Sequence, residues 1–233
     1  MDLGKEAESP DGVGLAMDGG GGLMYCIPGE ISPMVTSIAR PDTGMGVIKG
    51  ISMSGSRLYM LDPDSNAVWR YRLQQDYAPS EQPVLFFGNQ VPDLTNVVDL
   101  VGYGDELYLL RSNGKTTHCT YSTLVDVKQT SCDDPAEYGD QREGRDAQVA
   151  DFPEAVFIGM ESTQPPDPSI YFLDSKGAGL YHFSIQLKLQ RVLSPKFDNT
   201  SFHLNHDATA FTITPTRLVF MAFGNLIYVA RIP

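Results

Sequence analysis

The sequence predicts an all-β protein of the β-propeller class, with about five blades, in a single domain over residues 1–233. Three observations carry this expectation. No segment keeps a 3.6-residue apolar period over three turns, and 22 glycines and 16 prolines interrupt the chain every few residues. Short runs rich in Val, Ile, Tyr and Phe recur, which is how strands read. The runs also repeat as a unit: a strand of small and β-branched residues, a tight turn, a leucine–aromatic strand, another turn, and a third strand carrying aromatics.

The copies follow one another along the chain. A weak first copy has Leu23-Met-Tyr-Cys-Ile27 as its second strand. The next reads 47–53, Arg57-Leu-Tyr-Met-Leu-Asp62 and 67–73, and the third reads 97–103, Glu106-Leu-Tyr-Leu-Leu-Arg111 and 116–121. The fourth reads 155–159, Ser169-Ile-Tyr-Phe-Leu-Asp174 and 179–185, and the last reads 208–213, 217–221 and 225–230. The anchors Tyr25, Tyr59, Tyr108, Tyr171 and Val219 stand 34, 49, 63 and 48 residues apart. Three- or four-stranded units at roughly 40–50 residues mark propeller blades, because a small twisted sheet cannot cover both of its faces alone. A β-sandwich of consecutive hairpins is the alternative. Fourth strands are expected at 83–87, 125–129 and 189–193, while the first and last copies lack one. The ring is thus an incomplete propeller, part of a larger one, or one closed by an N-terminal strand or another chain. The first 12 residues read as a flexible N-terminus, and the acidic stretch 133–151 as a surface loop inserted before the fourth copy.

Composition narrows the function classes. Hydrophobic residues make up 42% and charged residues 20%, as in ordinary globular proteins. With 17 basic against 29 acidic residues the formal charge is −12, and the few cations are scattered. Phosphate backbones and anionic membranes need clustered Lys and Arg, so neither is an expected partner. No apolar run is long enough to span a bilayer as a helix, and the polar N-terminus lacks the apolar core of a signal peptide. The compartment is not specified. A hairpin turning near 124–126 would set Cys119 opposite Cys132, at a separation that a disulfide accepts; the alternative is two reduced thiols. Cys26 lies in an apolar stretch and reads as a buried small hydrophobe.

The last third carries a resemblance. Pro168-Ser-Ile-Tyr-Phe-Leu-Asp174, Tyr181-His-Phe183, Ala208-Thr-Ala-Phe211 and Gly224-Asn-Leu-Ile-Tyr228 resemble the carboxy-terminal propeller region of bacterial proteins, some of which join it to a protein-phosphatase-like domain. The likeness spans roughly residues 90 to 233 and implies a propeller without implying a substrate. The repeats are also similar to the NHL and WD families, though no blade carries a Gly-His or Trp-Asp signature.

Candidate chemistry is sparse. Asp62-Pro-Asp-Ser-Asn66 begins like a calcium loop but lacks the glycine at position six and the later glutamate, so it reads as a hairpin turn. His203-Leu-Asn-His206-Asp207 falls short of the ligands zinc needs and reads as a polar loop. His118 and His182 sit beside aromatics on third strands and read as packing residues. Gly19-Gly-Gly-Gly22 opens no helix and reads as a flexible turn, and Asn199-Thr-Ser201 matches a glycosylation acceptor. No cofactor and no bound metal are expected. Asp99, Glu154 and Asp207 lie in or just before innermost strands, where carboxylates serve as acid and base in five-bladed glycosidases. Lys49 occupies the position of Asp99 in the preceding copy, so an ion pair between Lys49 and Asp99 is the structural alternative. The reading is therefore a non-catalytic binding or scaffold module for a protein partner, through the propeller face or the blade edges. A carbohydrate-active hydrolase and a structural subunit of an oligomer are the alternatives.

Overall fold

The computed structural model describes residues 14–17, 22–26, 31–74, 79, 82–88, 90–122, 129–145, 147–163, 167–177, 179–194, 207–214 and 216–232. Among them there are twenty strands in five sheets and no helix. Two compact units divide the chain, one of residues 1–109 with 118–132 and the other of residues 110–117 with 133–233.

The first unit opens with a three-stranded antiparallel sheet, β1 (Gly14–Met17), β2 (Gly22–Cys26) and β3 (Met34–Ser37). The second sheet is a four-stranded meander of β4 (Gly50–Ser54), β5 (Arg57–Asp62), β6 (Ala67–Arg72) and β7 (Val84–Leu85). The third repeats it with β8 (Val97–Tyr103), β9 (Glu106–Arg111), β10 (Thr116–Ser122) and β11 (Gln129–Asp133). In the second unit, β12 (Tyr138–Asp140) and β13 (Ala147–Ala150) precede the fourth meander, β14 (Phe157–Thr163), β15 (Ser169–Asp174), β16 (Leu180–Ser184) and β17 (Lys188–Leu193). The chain ends in a three-stranded sheet of β18 (Ala208–Ile213), β19 (Leu218–Phe223) and β20 (Leu226–Arg231). Strands following one another in chain order, side by side, five times over, are propeller blades. The fold is a five-bladed β-propeller.

The leucine–aromatic strands occupy the middle of each blade, and in blades two, three and four they are covered on both faces. This is why they read as unbroken apolar runs instead of alternating. Leu58 to Leu61, Leu107 to Leu110 and Ile170 to Leu173 are all buried. Blades one and two share a core of Leu23, Tyr25, Leu58, Met60, Trp69 and Tyr71, and Tyr59, Leu61, Phe86, Leu100, Leu109 and Tyr121 fill the next one. In the second unit Tyr171, Leu173, Val219, Met221 and Phe223 pack blade four on blade five.

Several boundaries differ from the sequence expectation. β4 starts at Gly50, not at residue 47, because the N–H groups of Gly46 and Val47 donate to the carboxylates of Asp62 and Asp64. β14 starts at Phe157, not at residue 155, because the Val156 N–H donates to Asp174. The fourth strand of blade three lies at 129–133, while residues 123–128 lie outside the described residues. The first copy has three strands where the sequence showed one.

The largest correction concerns 133–151. This stretch, expected to be a surface loop, adds β12 and β13 to the outside of blade four, making a six-stranded sheet in the order β13-β12-β17-β16-β15-β14. Gly139 and Asp140 pair in parallel with Lys188 and Leu189. One aromatic residue anchors the addition. Tyr138 is packed against Phe152, Phe157, Phe172 and Phe183, with centroids 5.3 to 6.4 Å away, and its hydroxyl lies 2.7 Å from that of Thr116. Asp140 beside it is buried but held by both arms of Arg142, at 2.9 and 2.6 Å. Those bonds outweigh burial and keep its carboxyl below the usual carboxylate range.

Candidate functional site

The turn between the second and third strands of a blade does more than reverse the chain. In blade two, Asp62 ends β5 and is fully buried. Its Oδ1 accepts the Ser65 N–H at 3.0 Å, and its Oδ2 accepts the Gly46 N–H and the Trp69 Nε1–H, each at 2.9 Å. Burial alone would raise this carboxyl, yet the bonds from Trp69, Gly46 and Ser65 hold it below its ordinary value. Asn66, at φ 47° in the same turn, reaches the next blade: its Oδ1 accepts the Leu94 N–H at 2.9 Å. One turn thus pins the entry to its own blade and the entry to the blade after it.

Blade four repeats the device. Asp174 ends β15; its Oδ1 accepts the Val156 N–H at 2.9 Å and its Oδ2 the Gly177 N–H at 3.1 Å. The Ser175 carbonyl then accepts the Ala208 N–H at the start of blade five. Blade three inverts the charge. Arg111 ends β9 where its counterparts have Asp, and the carboxylate comes from Asp134 instead, bonded to Arg111 at 2.7 and 3.2 Å and to the Thr117 hydroxyl at 2.8 Å.

These pinned segments display exposed charge. In the first unit Asp42, Asp64 and Asp93 are exposed beside the fixed turns. In the second, Asp134, Glu137, Asp151, Glu154 and Asp207 are exposed, and the exposed cations near them include Lys115, Arg145 and Lys176. Glu154 lies two residues before the pinned Val156 and Asp207 directly before the pinned Ala208, so both flank the Asp174–Ser175 turn. Asp99 belongs to the first unit. It is half-buried in β8, where its Oδ1 accepts the Leu100 N–H at 2.8 Å and faces Gly50 of β4. Lys49 stands exposed just before β4, its own N–H bonded to the Leu61 carbonyl.

Other residues singled out in the sequence have definite places. Cys119 and Cys132 are joined by a disulfide between β10 and β11, with Cα atoms 4.1 Å apart. Cys26 is exposed, not buried, because Leu23 and Tyr25 turn inward and put their neighbours outward. His118 and His182 stack on Tyr108 and Tyr171, at 4.5 and 4.4 Å. His203, His206, Gly19 to Gly21 and Asn199 to Ser201 lie outside the described residues. Sequence reasoning missed the role of Asp62 and Asp174, although both close a Leu-Tyr or Ile-Tyr strand and aligning the repeats would have shown it. It also missed Glu161, whose carboxylate accepts the Thr212 hydroxyl and the Ile213 N–H, each at 2.8 Å, and so ties blade four to blade five.

No protein-family model matches the chain, and no curated protein matches it. Among solved structures, YCF48 bound to a D1 peptide is similar with a TM-score of 0.44 and 11% identity, over 94% of this chain and 61% of that one. The WD40 domain of SCAP from fission yeast gives 0.44 and 12%, over 95% and 50%. Virginiamycin B lyase from Staphylococcus aureus gives 0.43 and 12%, over 96% and 71%. The chain thus spans about half to three fifths of the length of the first two.

Proposed function

We propose that this chain is a non-catalytic binding or scaffold module that offers its pinned turns and the acidic segment 133–151 to a cationic or polar partner. The observation that carries the reading is the repeated use of a strand-ending charged residue to fix the loops. Asp62, Asp174 and the Arg111–Asp134 pair spend their hydrogen bonds on the chain itself, which holds the neighbouring exposed carboxylates in place. Pre-ordered groups lose little entropy on binding, which favours recognition over adaptability. A formal charge of −12 draws cations from beyond contact distance. The likeness of residues 90–233 to propeller regions of larger bacterial proteins is in keeping with a module that serves other domains.

The test is titration with a lysine- and arginine-rich peptide and with a neutral peptide of equal length, followed by fluorescence anisotropy at low and high salt. The cationic peptide is expected to bind more tightly, to weaken as salt rises, and to weaken further in a variant carrying Asp42→Lys and Glu137→Lys. Equal binding of both peptides would remove the electrostatic reading. Release of reducing sugar from a glycan panel would overturn the non-catalytic one.

A further inference from the structure

His118 and His182 hold equivalent places in blades three and four. Each ring lies flat on a tyrosine of the preceding strand, His118 on Tyr108 and His182 on Tyr171, with interplanar angles of 4° and 3°. In blade three a carboxylate completes the arrangement. Glu106 opens β9 two residues before Tyr108, and its Oε2 accepts from both His118 Nε2 and the Thr120 hydroxyl. In blade four the corresponding residue is Ser169, which opens β15 two residues before Tyr171 and brings no carboxylate. The His182 ring nevertheless carries a donor. Arginine only donates, so Nδ1, bonded to Arg191 Nε at 3.1 Å, is the acceptor and the ring proton sits on Nε2. His182 is 3% exposed, and its Nε2 has no hydrogen-bond partner. A buried donor left unmatched is uncommon and calls for an explanation. Glu161, opposite Tyr171 on β14, is committed to Thr212 and Ile213 of blade five.

We propose that His182 Nε2 and the Arg217 guanidinium form a binding site for the carboxylate of a small organic acid, which fills beside Ser169 the place that Glu106 fills in blade three. The class of ligand follows from that internal counterpart. Ser184 lies opposite Ser169 and two residues after His182, as Thr120 lies two residues after His118. Its Oγ accepts the Gln186 and Lys188 N–H groups at 3.3 and 3.4 Å, which leaves its own O–H to donate to the ligand as Thr120 does to Glu106. Charge is supplied at the same end of β15. The Ser169 hydroxyl donates to the Asp167 carbonyl at 3.4 Å, and the Asp167 carboxylate stands 3.7 Å from Arg217. Both charges act on His182 and on Tyr171. The Asp167–Arg217 pair is loose, with side chains 60% and 57% exposed, so an incoming carboxylate parts it and takes Arg217 for itself. This inference is independent of the loop-face reading above: it concerns an anion, at the opposite end of β15 from the Asp174 turn.

Titration with sodium acetate at constant ionic strength tests it, read at the imidazole nitrogens of the histidine-labelled protein by NMR, with chloride and phosphate as the counter-probes. The His182 signals are assigned by their loss in His182→Phe. Acetate is expected to move the His182 Nε2 signal saturably while the His118 signals stay in place, and chloride is expected to leave both unmoved. Arg217→Gln, an exposed change, should weaken acetate by about tenfold. Ser169→Glu, which restores the blade-three pattern, should shift the Nε2 signal in the absence of acetate and abolish the response to it; should that variant not fold, the Arg217→Gln comparison decides alone. No saturable shift at His182 overturns the proposal, as does an acetate response that survives Arg217→Gln. A response that phosphate reproduces at equal concentration overturns the assignment to a carboxylate.

Discussion

At the scale of single residues, the stabilising chemistry is buried charge held by several donors at once. Asp62 shows the balance: desolvation opposes its ionised form, and three donors more than offset this. Asp62→Asn keeps the shape but turns an amide NH2 towards a donor, leaving buried groups unmatched. The expected cost is about 2–3 kcal/mol, read from denaturant midpoints. Because the folded pKa lies below the unfolded one, the contribution of Asp62 is fully present above the ordinary carboxylate value and is lost as pH falls from there through the lowered folded value. His182 works in the other direction. Burial first, then Arg191, pushes its pKa down to about 4, although Asp167 opposes the shift; Arg217 adds to it. Its Nδ1 accepts from Arg191 Nε at 3.1 Å, and Tyr171 stacks on the ring. The unfolded chain takes up a proton near pH 6.5 and the folded one only near 4, so stability is lost as pH falls between those values. In thermal melts across that window, His182→Gln should lose less stability than the wild type does; parallel curves would remove His182 from the account.

At the scale of elements, close approach and covalent closure decide the packing of blades two and three. β8 lies so near to β5 that a Cβ at Gly102 would overlap the Tyr59 ring, whose hydroxyl donates to the Gly104 carbonyl at 2.9 Å. Gly102→Ala should therefore destabilise by about 1–3 kcal/mol, the range for overpacking, and Tyr59→Leu in the same chain should recover part of it. The Cys119–Cys132 bridge fastens β11 to β10 beside the buried core. Thiol titration of the unfolded, unreduced protein should find one free thiol, from Cys26; three would show the bridge absent. Closing a loop this short is worth about 3 kcal/mol, so reductant should lower the melting temperature. Most strands were legible because a strand covered on both faces reads as an apolar run. β12 and β13 were not legible, because charged, glycine-bearing sequence around Tyr138 hides a strand that forms only on meeting an aromatic cluster drawn from residues 152 to 183.

At the scale of the whole molecule, charge and recurrence set what the protein can do. On the proposed reading, an excess of 12 negative charges would make attraction to a cationic partner long-ranged and salt-sensitive, with a reach of about 10 Å at ~0.1 M salt. Binding that is indifferent to salt would point to an apolar contact in its place. The sequence by itself determined the class of fold, the number of blades and the place of their central strands, because hydrophobic periodicity and turn chemistry are local signals that each repeat restates. The tertiary structure alone decided which charges are spent internally and which face outward. Asp62 and Asp64 stand two residues apart in one turn, yet the first is buried under three donors and the second is exposed. What separates them is position: Asp62 closes β5 beneath the Trp69 indole and the Gly46 N–H, whereas Asp64 lies beyond the strand in the turn, and these neighbours are in place only once distant segments have come together.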